Sequence, residues 1–506
     1  MNPDKSKHTA TIEFAADGDY TLKVEAKDLG NIAAKAVEAT PFTVDKTAPT
    51  VTIAYDNNNA INEKYFAAGR TATVTVTEHN FDANSVVVNG TATFGGGATA
   101  FPSVSGWSSN GDVHTTTLSF SQDALFKYDV SVTDKAGNAI QYVENEFSVD
   151  TTIPEITITG VEDMSANNGT VAPIVTITDE NYDANGVTIE LTGANQGRVE
   201  ANGSFSDTDN GQVFNFADFA EEQSNDDLYT LMVTEIDKAG NTFEDSITFS
   251  VNRFGSVYTL SDELAAINGK YVKEAVDVVI TETNVDGLDM ETVKVVLTVN
   301  GTPKTLIRGE EYTISQSGGG GSWSQYEYRI GKELFQEDGA YSIAIYSVDD
   351  AGNVNENINE TKEAEVFFGI DTVNPIITAI DLESGKTYEA TAHTAVLSIT
   401  DNLVLGDVNI MVNGEPAEYT VNGTDYSFVL NEASSAYTIV VNVTDKAGNA
   451  ATMTFEDVWV TTSAFVRVMN SPVALAVGGG VVGVAGIGTG AFFFLRSKNV
   501  IKVKRK

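Results

Sequence analysis

Five copies of one segment, about a hundred residues apart, constrain this chain more than any other feature. The first runs from Tyr20 through Leu22 to Asp28-Leu29-Gly30-Asn31. The others run from Tyr128 to Asp134-Lys135-Ala136-Gly137-Asn138, Tyr229 to Asp237-Lys238-Ala239-Gly240-Asn241, Tyr341 to Asp349-Asp350-Ala351-Gly352-Asn353, and Tyr437 to Asp445-Lys446-Ala447-Gly448-Asn449. Successive final Asn residues lie 107, 103, 112 and 96 positions apart. Solenoid units are far shorter; a period of this size is one β-sandwich.

A second signal follows the first four copies. Val44-Asp45 leads to Pro49, Val149-Asp150 to Pro154, and Ile370-Asp371 to Pro375, while the third junction reads Val251-Asn252-Arg253-Phe254-Gly255 without proline. Proline cannot continue a ladder and stiffens a linker. The divisions are therefore 1–45, 46–150, 151–252, 253–371 and 372–462. Inside a unit, apolar and polar residues alternate as in strands: Val51 to Ile53, Ala72 to Val76, Val86 to Val88, Leu118 to Phe120, Val130 to Val132. Asn89-Gly90, Asn300-Gly301, Asn413-Gly414 and Asn422-Gly423 each predict a two-residue hairpin turn. About seven strands per unit is the immunoglobulin-like number. The expected class is all-β: tandem immunoglobulin-like sandwiches followed by one C-terminal transmembrane α-helix.

The repeated tyrosine stands two residues before Leu22, Val130, Leu231, Ile343 or Ile439. A tyrosine corner stands at that offset from the second cysteine of an immunoglobulin domain. The chain has no cysteine, so an aliphatic residue takes the sulfur's place, and disulfides and thiolate metal sites are excluded. Residues 1–45 hold only the last strands of a unit, since His8 to Phe14 matches His114 to Phe120. That remnant is expected to be poorly ordered or prone to aggregate, with an unpaired edge. With no secretory signal ahead of it, the chain is expected to be a fragment.

The junction Asp45 to Pro49, the run Glu78 to Asp82, Trp107 with His114, and Asp134 to Asn138 resemble the bacterial Ig-like repeats of Gram-positive surface proteins. The resemblance spans most of residues 1–460. It implies a sandwich fold, surface location, and a role as stalk, adhesin or accessory module.

Residues 472–495 carry no charge. As a helix they would extend about 36 Å, enough for a hydrocarbon core of about 30 Å. Six of the 30 basic residues follow in 496–506, where there is no acid, against 71 acidic residues overall. That asymmetry predicts a single-pass membrane protein with a cytoplasmic tail and an extracellular N-terminal ectodomain. No Leu-Pro-x-Thr-Gly sorting signal lies before the apolar run, which favours membrane retention over attachment to cell wall. Gly479 with Gly483 and Gly486 with Gly490 have the spacing of a helix-pairing face, which a glycine-rich span also produces by chance. The acidic ectodomain repels nucleic acid.

Acidic loops recur after the second strand: Glu78 to Asp82, Asp179 to Asp183 and Glu282 to Asp286; the last unit departs, with Asp401-Asn402-Leu403-Val404-Leu405. In a sandwich these loops meet the linker and the Asp-x-x-Gly-Asn loop at one end. Asp45, Glu78, Asn80, Asp82, Asp134 and Asn138 are one candidate set. Asp150, Glu180, Asn181, Asp183, Asp237 and Asn241 are another. Such oxygen ligands suit calcium between domains; the same residue types also cap turns through their own backbone, and both readings stand. Calcium is the one cofactor the sequence suggests. Four scattered histidines and the lack of any catalytic motif predict no enzyme activity. Trp107 and Trp323, after glycine-rich loops, are expected to cover their cores; exposed, they would stack on sugar. The expected role is a non-enzymatic stalk or adhesin-like protein projecting an N-terminal head from the membrane. The alternatives are modules that bind glycan or host protein, or accessories of an enzyme domain upstream.

Overall fold

The structure, a computed structural model, describes residues 7–469. The predicted span 472–495 and tail 496–506 lie outside the described residues. Among the described residues no helix is long and apolar enough to cross a membrane. Four two-sheet sandwiches follow one another, each with its own apolar core.

The first sandwich shows the plan. Thr50–Tyr55, Arg70–Thr77, Val113–Phe120 and Ser108–Asn110 pair antiparallel into one sheet. Val86–Phe94 pairs with Ala124–Thr133, which also pairs with Ala139–Val143 and Phe147–Val149, in the facing sheet. β-branched residues dominate both, and their alternation puts every second side chain inside: Ala72, Val74 and Val76 are buried from one sheet, Val130 and Val132 from the other. Tyr65–Phe66 then joins Phe147–Val149 in parallel. The same plan recurs over 155–251, 257–370 and 376–460, with parallel closures of Tyr271–Val272 on Val366–Ile370 and Thr387–Tyr388 on Ala450–Val460, and a single parallel bridge from Ser165 to Phe249.

The tyrosine corner is present. The hydroxyls of Tyr20, Tyr229, Tyr341 and Tyr437 donate to the carbonyls of Ala16, Asn225, Glu337 and Asn431 at 2.6–2.9 Å. Tyr128 departs: its hydroxyl meets that of Tyr55 at 2.6 Å. Each ring is thus fixed at its polar tip, and in the four sandwiches its body packs into or against the core.

Two expectations need correction. Asn89-Gly90 is not a turn; it lies inside Val86–Phe94, and the chain reverses at Gly95 and Gly96, with φ of 58° and 69°. Gly90 instead admits the Phe101 ring, from which a Cβ would stand 2.3 Å. The other Asn-Gly pairs do turn, Asn300-Gly301 and Asn413-Gly414 with two positive φ values and Gly423 with one. An α-helix, Asp262–Ile267, interrupts the third sandwich, capped by Ser261 and anchored by buried Leu264. Trp323 leaves its own core; its indole N–H donates 2.7 Å to Asp227 Oδ1 of the preceding sandwich. Trp107 packs edge-on against Phe81, as expected of a core cover.

Residues 7–45 form two two-stranded ribbons, Gly18–Tyr20 with Phe42–Val44 and Lys23–Val24 with Val37–Glu38. Their apolar side chains, Val24, Leu29, Ile32 and Val37, are exposed.

Candidate metal centres at the domain junctions

The Asp-x-x-Gly-Asn loop is built by its own first residue. Asp134 Oδ1 accepts from the backbone N–H groups of Ala136 and Asn138, and Gly137 takes a φ of 95°. Asp237 with Ala239 and Asn241 repeats the arrangement, with Gly240 at 88°. The closing Asn faces two ways. The Asn138, Asn241, Asn353 and Asn449 amides donate to Asp134, Asp237, Asp349 and Asp445 within their loops. They also donate to the linker carbonyls of Asp45, Asp150, Asn252 and Asp371, at 3.3, 3.0, 2.7 and 2.9 Å. The residue that defines the repeat therefore fastens each sandwich to the chain arriving from the one before.

Against this lock the linker carboxylates meet two others. One oxygen from each of Asp45, Glu78 and Asp134 lies within 4.8 Å of the other two; Asp150, Asp179 and Asp237 do the same, and so do Asp371, Asp401 and Asp445. Two unit charges at that distance repel by about 3 kcal/mol at an effective dielectric near 20. Burial, with the facing carboxylates of Asp150 and Asp237, pushes Asp179 up to about 6. Burial also raises Glu78 and Asp371, aided by their neighbours.

Two clusters carry partial neutralisation of their own. Asn80 Nδ2 donates to Asp45 Oδ2 at 2.8 Å, and Asn181 Nδ2 to Asp150 Oδ2 at 2.7 Å. The third junction goes further. Asn252 replaces the linker acid, and its amide lies 3.0, 2.9 and 3.1 Å from Asn284 Oδ1, Asp286 Oδ2 and Asp349 Oδ2. Arg253, at the place of Lys46, Thr151 and Thr372, turns back to Asp218 and to the carbonyls of Gly169 and Phe219. An amide stands there where the other junctions gather carboxylates.

The sequence-derived sets are thus partly assembled. Asp45, Glu78, Asp134, Asp150 and Asp237 converge, with Asn80, Asn138, Asn181 and Asn241 as their donors. Three residues do not join. Asp82 caps the short 3-10 helix Ala83–Ser85, and Asp183 accepts from the Asn185 backbone and amide. Glu180 reaches the other way, accepting from the Gly95 N–H of the preceding sandwich. Asp179 takes the position assigned to Glu180, because that backbone register, not the longer side chain, points at the junction. Asp371, Asp401 and Asp445 were missed; strict alignment of Asp401 with Glu78 and Asp179 would have found them. Each histidine in the sandwiches has a structural partner: His114 bonds Ser109 and the Glu78 carbonyl, His79 bridges Asp112 and Asp19, and His393 stacks on Tyr388.

Comparison with known proteins bears on the last unit directly. Residues 395–461 match the model of the Bacterial Ig-like domain family. That match falls on the last sandwich and, with the two-sheet plan that the other three share with it, supports a bacterial Ig-like repeat protein. No curated protein matches. Among solved structures, the chain is similar to the Escherichia coli adhesin FdeC at 14% identity, over 60% of this chain and 96% of that one, with a TM-score of 0.29. It is similar to fibronectin(III)-like modules of Clostridium thermocellum CbhA at 14%, over 40% and 94%, TM-score 0.21. It is also similar to the protocadherin gamma B4 extracellular domain at 11%, over 88% and 78%, TM-score 0.23. At such values none of the three transfers a function.

Proposed function

We propose that this chain is the non-enzymatic stalk of a surface protein of Gram-positive type. The sandwiches stand outside the cell, a single-pass helix at 472–495 holds them to the membrane, and residues 496–506 lie in the cytoplasm. The stalk keeps its N-terminal end away from the cell, where it serves adhesion.

The observation that carries this reading is the junction lock repeated four times from Asn138, Asn241, Asn353 and Asn449 to the linker ahead. Sandwiches that merely share a chain need no such bonds; sandwiches that transmit position along a row do. Recognition of glycan by the sandwiches would call for a free aromatic face. Trp107 sits half-buried edge-on against Phe81, and half-buried Trp323 is held by its indole N–H to Asp227, so both have structural partners.

An N-terminal epitope tag, placed behind a cleavable secretory leader fused to the chain, tests this. Intact cells should bind antibody and lose the tag to added protease. Deletion of two sandwiches, residues 151–371, should bring the tag measurably closer to the membrane by electron microscopy. A tag hidden on intact cells, or an unchanged height, overturns the reading.

A further inference from the structure

One position isolates the last of the four junctions. Asn80 and Asn181 supply an amide to the linker carboxylate, and Asn252 supplies its own; the corresponding place in the last junction is Leu403. Leu403 has only its backbone N–H to give, which goes to Asp401 Oδ2. Neighbouring Asn402 turns its amide to Asp338. Asp371 is fully buried, and its Oδ2 has no hydrogen-bond partner; nor has Asp401 Oδ1, also shielded from solvent. A buried polar atom with no partner calls for an ion or water that supplies one. Both residues belong to the cluster completed by Asp445, in which one oxygen from each residue lies within 4.8 Å of the other two.

We propose that Asp371, Asp401 and Asp445 bind a calcium ion, which joins the linker to the last sandwich. The ligand atoms are all carboxylate oxygens, as a hard cation prefers, and they lie close enough together to share one ion at calcium's usual distance of about 2.4 Å. Magnesium keeps several of its waters and is usually held by one or two carboxylates, whereas three converge here. The ion ties three separate segments: the linker, the loop after the strand Ala392–Thr400, and the loop between Tyr437–Asp445 and Ala450–Val460. Where the other junctions carry an amide, this one carries a metal site. The proposal rests on the extracellular reading above, since calcium is abundant there.

The test is isothermal titration of calcium chloride into the full chain, stripped with chelator and held in mild detergent. Asp371→Asn, which installs the residue the third junction uses, should lower the number of bound calcium ions by one. Leu403→Asn restores the amide of the first two junctions and should weaken binding at the last site at least tenfold. Hydrogen exchange in the strand Tyr437–Asp445 should slow when calcium is added to the parent and be indifferent to it in Asp371→Asn. An unchanged count in Asp371→Asn, or equal calcium response of that strand in parent and variant, overturns the proposal. Failure here leaves surface display of the N-terminal tag untouched, whereas failure of the stalk reading shows in the tag with the binding heats unaltered.

Discussion

Asn252→Asp puts a carboxylate where the third junction has an amide. Asn252 is fully buried, and its Nδ2 lies 2.9 Å from Asp286 Oδ2 and 3.1 Å from Asp349 Oδ2. Hydrogen bonds to charged acceptors contribute about 1.5–3 kcal/mol each, so losing both costs roughly 3–6 kcal/mol. The new side chain must also avoid two carboxylates about 3 Å away. Taking up a proton at neutral pH would do so, at about 1.4 kcal/mol per unit of pKa displacement. The protonated form regains one hydrogen bond, and about three units of displacement at pH 7 cost roughly 4 kcal/mol, so the net loss is about 6–7 kcal/mol. Urea titration in chelator, read by hydrogen exchange in Val278–Asn284 and Gly339–Val348, isolates this sandwich. A loss below about 1 kcal/mol would refute the reasoning, because the amide would then not be what neutralises the junction.

Glu235 is fully buried with Oε2 unpartnered, and burial, with Asp179, Asp183 and Asp237 nearby, pushes its pKa from 4.5 to about 7. The folded state therefore holds its proton more tightly than the unfolded one. The resulting stability is whole below pH 4.5 and is lost as pH rises through 7, about 3 kcal/mol in all; Glu235→Gln should flatten that slope in urea titrations at pH 5 and 8. Tyr229→Phe strands the Asn225 carbonyl and the Gln196 amide and should cost about 1–2 kcal/mol, measured by exchange in Asp227–Ile236. Gly90→Ala drives a Cβ into the Phe101 ring; overpacking of about 1–3 kcal/mol should lower the first sandwich's melting midpoint by several degrees. Trp323→Phe removes the bond to Asp227, which keeps the Asn195, Gln196 and Leu228 N–H groups; small-angle scattering should show looser domain orientation with each sandwich's melting unchanged.

Repetition made most of the fold legible. Five tyrosines at one offset mark the strand that crosses each core, and Asp-x-x-Gly-Asn marks the loop beside each linker. The junction clusters were legible to the same depth, because their ligands sit at fixed places in the repeat. What stayed hidden depended on direction or on neighbours far away in sequence. Glu180 and Asp179 are adjacent acids, and only the pleat decides which faces the linker. Gly90 looks like a turn residue until Phe101 is seen above it. Arg70 reads as a surface cation, yet its guanidinium lies 3.6 Å and 3.8 Å from the ring centres of Tyr55 and Phe66. The helix Asp262–Ile267 is too short for periodicity to reveal.

The parallel closures have a mechanical consequence. Tyr65–Phe66 lies near the start of its sandwich and Phe147–Val149 at the end, so tension on the chain pulls these neighbours in opposite directions along their length. Their hydrogen bonds are then loaded in shear, sharing the load, rather than peeled open one at a time. Tyr271–Val272 on Val366–Ile370 and Thr387–Tyr388 on Ala450–Val460 are loaded in the same way. A chain without a single disulfide is thereby given resistance to stretching in three of its four described sandwiches.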